Sequence, residues 1–110
     1  SEVANDVLST SIRIGAVGMA KMLADEFGPY NITVNNIAPG LILTDRIKHT
    51  LPQGADPEAA IKEKAKGIPL GRIGKPEELA ALAAFLASEQ AGYISGATIQ
   101  VDGGASRGIF

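Results

Sequence analysis

The residues in this chain that could do chemistry are few, and their types close off most mechanisms. There is no cysteine, so a thiol nucleophile, a disulfide framework and a cysteine-ligated zinc site are all excluded. One histidine, His49, cannot by itself make a His-rich metal site, and no metal is expected. Asp102 sits in Asp-Gly-Gly, the composition of a turn, and a single carboxylate does not form a cation cage. The triplet Asn31-Ile-Thr33 has the pattern of a glycosylation acceptor, but it overlaps a strand pattern and has no secretory context. No glycine-rich phosphate loop opens a helix here, and the glycine-dotted run 67–74, broken by Pro69, fits a connecting loop. What remains is the run Pro39 to Thr44, with a Pro-Gly turn, apolar residues and a hydroxyl. Thr44 is also a candidate helix cap.

The elements around that run say where it stands. Leu8, Ile12, Ala16, Met19, Leu23 and Phe27 recur at spacings of three and four, which predicts one long helix from about Asp6 to Phe27. Asn5 or Asp6 caps its start, and Gly28-Pro29 stops it through a left-handed glycine. Ile14, Val17 and 20–24 add a second apolar set, so this helix expects neighbours on more than one side. Gly15 and Gly18 are expected where another backbone comes close. Residues 32–38 are β-branched at their start and closed by Pro39-Gly40, which reads as a strand. A short helix is expected over 44–51, then another from the Asp56-Pro57-Glu58 start to Lys66, with a Glu58–Lys62 ion pair. Residues 68–75 carry Pro69, Gly71 and Gly74 and read as a loop. Pro76-Glu77-Glu78 opens a last helix with Leu79, Leu82, Ala83 and Leu86 on one face, and 97–101 form a last strand. Strands separated by helices imply an α/β fold with a parallel sheet, in which ligands bind beyond the carboxyl ends of the strands. Pro39 to Thr44 lies at such an end.

Composition bounds the rest. With 110 residues, 45% hydrophobic and 20% charged, the chain has room for one globular domain. Ten Lys and Arg against twelve Asp and Glu give a net charge of −2, so nucleic acid is not an expected partner. No apolar run reaches membrane length, SEVAND is not a signal peptide, and the absence of cysteine suits a cytoplasmic protein. The first residue is Ser1 rather than Met, so a cut piece of a longer protein is expected.

The blocks ITVNNIAPGLILT (32–44), LGRIGKPEE (70–78), FLASE (85–89) and GYISGATIQVDGG (92–104) closely resemble the C-terminal half of the short-chain dehydrogenase/reductase family, and among its members the 3-oxoacyl-[acyl-carrier-protein] reductase-like branch. The resemblance implies that residues 1–110 are the C-terminal segment of one Rossmann-type domain, a doubly wound parallel sheet represented by its last two strands and their flanking helices. The dinucleotide-binding N-terminal half would lie upstream. It implies NADP or NAD as cofactor and hydride transfer between a carbonyl and a hydroxyl on a small molecule or acyl thioester. A homodimer or homotetramer is implied too, with the long helix in a four-helix bundle. It also implies that Pro39 and Gly40 shape a loop closing on the nicotinamide, where the backbone amide of Ile42 and the hydroxyl of Thr44 meet the carboxamide.

The family's Tyr-x-x-x-Lys pair is where this chain departs. Counterparts of Gly18 and Lys21 typically lie nine and twelve residues after that Tyr, which puts Ser9 at the Tyr position and Arg13 at the Lys position. An alcohol without an activating base hardly ionises near neutral pH. A guanidinium can bind ribose or phosphate but cannot relay a proton, so Arg13 is expected as a cofactor ligand. A branch of these proteins carries a similar Leu-Ser-x-x-x-Arg pattern. Two alternatives follow: a non-catalytic nucleotide-binding or oligomerising family member, or a fragment inactive on its own. Asn35 is expected to tie its strand to neighbouring backbone.

Overall fold

The computed structural model describes residues 16–45, 51 and 54–106. Its sheet is a parallel pair, β1 (Asn36–Pro39) and β2 (Thr98–Val101). The register is fixed by Asn36 N–H donating to the Ala97 carbonyl at 2.8 Å and Gly40 N–H to the Val101 carbonyl at 2.9 Å, so both strands advance together. Parallel neighbours need a long crossover, and here it carries helices α2 (Pro57–Ala65) and α3 (Pro76–Leu86). The α/β architecture expected from the sequence is present, and β1 is shorter at its start than the 32–38 pattern suggests.

The chain divides into two compact units. Among the described residues the first comprises 16–37 and 85–99. Helix α1, residues 16–27, is followed by a 3-10 turn, Gly28–Tyr30. The left-handed residue that ends it is Asn31 at φ 60°, not Gly28, and its N–H closes the turn on the Gly28 carbonyl at 2.9 Å. Pro29 explains this, because it enters the first positions of the tighter turn and moves the reversal three residues on, from Gly28 to Asn31.

Among the described residues, helix α1 covers the second apolar set rather than the stripe through Ala16, Met19 and Phe27. Ala20 is buried and Val17, Leu23 and Ala24 are half-buried, whereas Ala16, Met19 and Phe27 are exposed. Among the described residues nothing lies within 4 Å of a Cβ placed on Gly18. The helix instead meets Gly96 in ordinary contact, where a Cβ would lie 3.4 Å from the Ala24 Cβ and 4.0 Å from the Lys21 Cα. The covered stripe is therefore Val17, Ala20, Leu23 and Ala24, leaving Met19 and Met22 outside. The start of the helix, with Asn5, Asp6, Leu8, Ile12 and Gly15, lies outside the described residues.

Within the same unit Asn35 does what its type suggested. Its amide nitrogen donates to the Ile94 carbonyl at 3.1 Å, and its oxygen accepts from Ala97 N–H at 3.1 Å. Asn36 donates to the Ala16 carbonyl at 2.9 Å, so the two asparagines bind different neighbours.

The second unit comprises the described residues among 38–84 and 100–106. Its core is Ala65, Ile68 and Ile73, with Ile61 packed against them. Asp56 caps α2 by accepting from Glu58 N–H at 3.2 Å, as the Asp-Pro-Glu start implied. The ion pair on this stretch is Lys66–Glu63 at 2.8 Å rather than Glu58–Lys62, and both partners are well exposed, so it adds little. Beyond β2, Asp102 accepts from Gly104 N–H at 3.0 Å and Ser106 N–H at 2.9 Å, making the turn that Asp-Gly-Gly suggested. Gly103 and Gly104 take φ of 64° and 88° in that turn, conformations that favour glycine.

Candidate nicotinamide-binding loop

The site grows from the end of β1. Gly40 passes so close to the turn after β2 that a Cβ on it would fall 2.6 Å from the Asp102 Cβ, a gap only glycine fits. The chain then forms one parallel bridge, Ile42 to Gly74. Gly74 N–H donates to the Leu41 carbonyl at 3.0 Å and Leu43 N–H donates to the Gly74 carbonyl at 2.8 Å. In such a bridge the groups used belong to the residues on either side, so the N–H and C=O of Ile42 itself point to the opposite edge. The Ile42 side chain is buried, and a Cβ on Gly74 would come 2.9 Å from its Cδ1. Two residues on, Thr44 is exposed and stands immediately before the helical Asp45, the position of an N-cap.

Gly74 is itself held. Arg72 grips Glu78 with two hydrogen bonds, 2.7 Å to Oε1 and 3.0 Å to Oε2, and Glu78 Oε1 also accepts from Lys75 N–H at 3.0 Å. Glu78 thus makes the return half of a capping box at the start of α3 while fixing the loop in front of it. Its carboxyl is pulled down to about 2, chiefly by the Arg72 hydrogen bonds and then by the Lys75 amide. The same carboxylate raises Arg72.

The folded-state value lies below the ordinary one, so the pair's contribution is present above about pH 4.5 and is lost as the pH falls toward 2. Glu78→Gln should therefore lose stability less steeply than the parent over that interval, read from urea midpoints at a series of pH values. Equal slopes would show that the pair contributes nothing to acid sensitivity.

A cavity of about 440 Å³ lies beside this loop, with Leu41, Leu70, Val101 and the Arg72–Glu78 pair among its walls. Its charged groups already bind one another or the backbone, since Asp102 takes two amide protons. That leaves a recess with apolar walls and no charged group spare for acid-base work. Among the described residues no three His, Asp or Glu come together, and no helix is long and apolar enough to cross a membrane.

Of the sequence-predicted site residues, Pro39 closes β1 and Gly40, Ile42 and Thr44 lie on the segment that follows it. Ser9, Arg13 and His49 lie outside the described residues. Sequence reasoning missed the Arg72–Glu78–Lys75 clamp and the Gly74 bridge. Pro76 with Glu78 two residues later was the available signal for the cap, but nothing local in the sequence pairs Arg72 with Glu78.

The fold and this loop define a Rossmann-type α/β protein of the short-chain dehydrogenase/reductase kind. Residues 3–106 match the family model described as enoyl-(acyl carrier protein) reductase, and the chain belongs to that family. It is 47% identical over 92 residues to the 3-oxoacyl-[acyl-carrier-protein] reductase FabG of Chlamydia muridarum, covering 84% of this chain and 35% of that protein. It is 40% identical over 111 residues to the NADPH-dependent reductase BacG of Bacillus subtilis, covering 96% of this chain and 43% of that one. The NADPH-bound structure of a short-chain oxidoreductase from Pseudomonas aeruginosa PAO1, described as containing an atypical catalytic centre, superposes with a TM-score of 0.82. It shares 35% identity and covers 94% of this chain and 40% of that one. The chain thus spans less than half the length of each of these relatives.

Proposed function

We propose that this chain is the C-terminal part of an NAD(P)-dependent oxidoreductase of the 3-oxoacyl-[acyl-carrier-protein] reductase-like branch, interconverting a carbonyl and a hydroxyl on a small molecule or acyl thioester. The observation that carries this reading is the bridge to Gly74, which turns the Ile42 N–H and C=O away from the chain's own partner, two residues before the Thr44 hydroxyl. A carboxamide offers a donor and an acceptor, and this loop offers both in return, so the residues present fit the nicotinamide end of the cofactor. When bound, the dinucleotide supplies the hydride. This chain's part is to bind and orient: Pro39 and Gly40 set the turn, Ile42 and Thr44 take the carboxamide, and Arg13 holds ribose or phosphate.

Ser9 at the usual Tyr position is a weak proton donor on its own. The Pseudomonas aeruginosa relative, described as containing an atypical catalytic centre, has NADPH bound, which supports cofactor use by a protein similar to this chain whose catalytic centre is not the usual one. The dinucleotide-binding half belongs upstream, in a cytoplasmic homodimer or homotetramer, and exposed Met19 and Met22 on α1 suit such a contact.

Titration of the full-length protein with NADPH and NADH tests the reading. Saturable binding of either is expected, with Thr44→Val weakening it several-fold and at most about tenfold, the worth of one hydrogen bond. Binding with no turnover of any 3-oxoacyl thioester or ketone would instead support the non-catalytic alternative.

A further inference from the structure

Gly74 and the Arg72–Glu78 pair take no part in the chemistry assigned above, yet they are the only described groups that fix the edge of the loop opposite the Ile42 amide. We infer that they form a positioning device for the cofactor loop: Arg72 and Glu78 lock the segment 72–75, and Gly74 passes that rigidity to Ile42 through the parallel bridge. The inference rests on the loop being the nicotinamide site.

Three observations carry it. Both bridge bonds, 3.0 Å from Gly74 N–H to the Leu41 carbonyl and 2.8 Å from Leu43 N–H to the Gly74 carbonyl, flank the one residue whose amide is to be presented. Gly74 has no room for a side chain without displacing Ile42, since its Cβ would meet Cδ1 at 2.9 Å. The segment that holds Gly74 is anchored on both sides by one carboxylate, which binds Arg72 two residues before it and the Lys75 amide directly after it. A loose loop would lose freedom when it grips a carboxamide, and a loop already fixed has less to lose. The clamp is exposed, so its effect belongs at the modest end of the surface ion-pair range.

The test separates positioning from folding by using ligands with and without the nicotinamide. Full-length protein, Arg72→Met and Gly74→Val are each titrated with NADPH and NADH, and beside them with 2′-phospho-ADP-ribose and ADP-ribose, which lack the nicotinamide ring. Both variants should weaken binding of the reduced dinucleotide by about three- to fivefold, the worth of a surface pair, while the matching ADP-ribose compound binds as before. Arg72→Lys, which keeps the charge and one contact to Glu78, should recover part of the loss. Equal weakening of both ligands would mean that the variants only reduce the folded fraction, and no weakening of either would mean that the loop needs no clamp. Each result overturns the inference while leaving the cofactor reading intact. Parent protein that binds ADP-ribose compounds no worse than whole dinucleotides, or that binds neither, overturns the cofactor reading and this inference with it.

Discussion

Gly40→Ala should unfold the full-length protein several degrees below the parent, at a cost of about 2–4 kcal/mol, although it adds one methyl group at an exposed position. The added carbon would stand 2.6 Å from the Asp102 Cβ and 2.9 Å from its Cα. The second of these atoms is backbone and cannot swing aside, so relief requires the two segments to part. Parting them stretches the Gly40 to Val101 hydrogen bond and disturbs the Asp102 turn, where two amide protons converge on one carboxylate. Gly18→Ala supplies the contrast on the same chain. Among the described residues nothing lies within 4 Å of a Cβ placed there, and Gly18 lies inside α1, so alanine should raise stability by up to about 1 kcal/mol through helix propensity. Thermal denaturation of the two variants beside the parent checks both, and a Gly40→Ala midpoint within a degree of the parent would show that the segments separate at little cost.

The contrast also shows why the fold was readable and much of its detail was not. Helices α2 and α3 announce themselves through local chemistry, Asp56-Pro57-Glu58 and Pro76-Glu77-Glu78, because caps and first-turn prolines act within a few residues. Glycine roles are different. The sequence expects a close approach at Gly18 and a turn at Gly40, and only partners distant along the chain show that the close approach falls at Gly40 instead. The same holds for α1, where the wide spread of apolar residues does not say which stripe a neighbour will cover. Strand β1 starts four residues later than its β-branched pattern because side chains take over the pairing before it. Val34 N–H donates to the Ser95 hydroxyl and the Asn35 side-chain oxygen takes Ala97 N–H, so only the Gly96 N–H to Val34 carbonyl bond, 2.7 Å, joins the two backbones there and the regular ladder begins at Asn36. For the candidate site, residue type could place Thr44 at a helix start but could not separate a cap from a ligand-binding hydroxyl, since both need the same group. The clamp was hidden for the opposite reason: six residues separate Arg72 from Glu78, a spacing that means nothing until the loop between them folds.

Asn35→Leu tests that substitution of side-chain bonds for ladder bonds, and should destabilise the full-length protein by about 2–4 kcal/mol. Leucine keeps the bulk but removes both partners at once, leaving the Ile94 carbonyl and Ala97 N–H half-buried and unpaired. Each orphaned group carries a desolvation cost of roughly 1–3 kcal/mol, discounted here because water reaches part of the site. Asn35→Asp separates the two bonds. Its carboxylate can still accept from Ala97 N–H, but it sets a negative oxygen against the Ile94 carbonyl where the amide donated. Burial and that carbonyl favour the protonated acid in the folded state, so its folded pKa should lie above the unfolded value. The penalty should then be smallest at acid pH and grow as the pH rises through that folded value. Urea unfolding of Asn35→Asp at several pH values, each beside the parent, gives the measurement. A pH-independent difference would mean that the Ile94 bond contributes little and that the acceptor to Ala97 alone anchors the start of the strand pair.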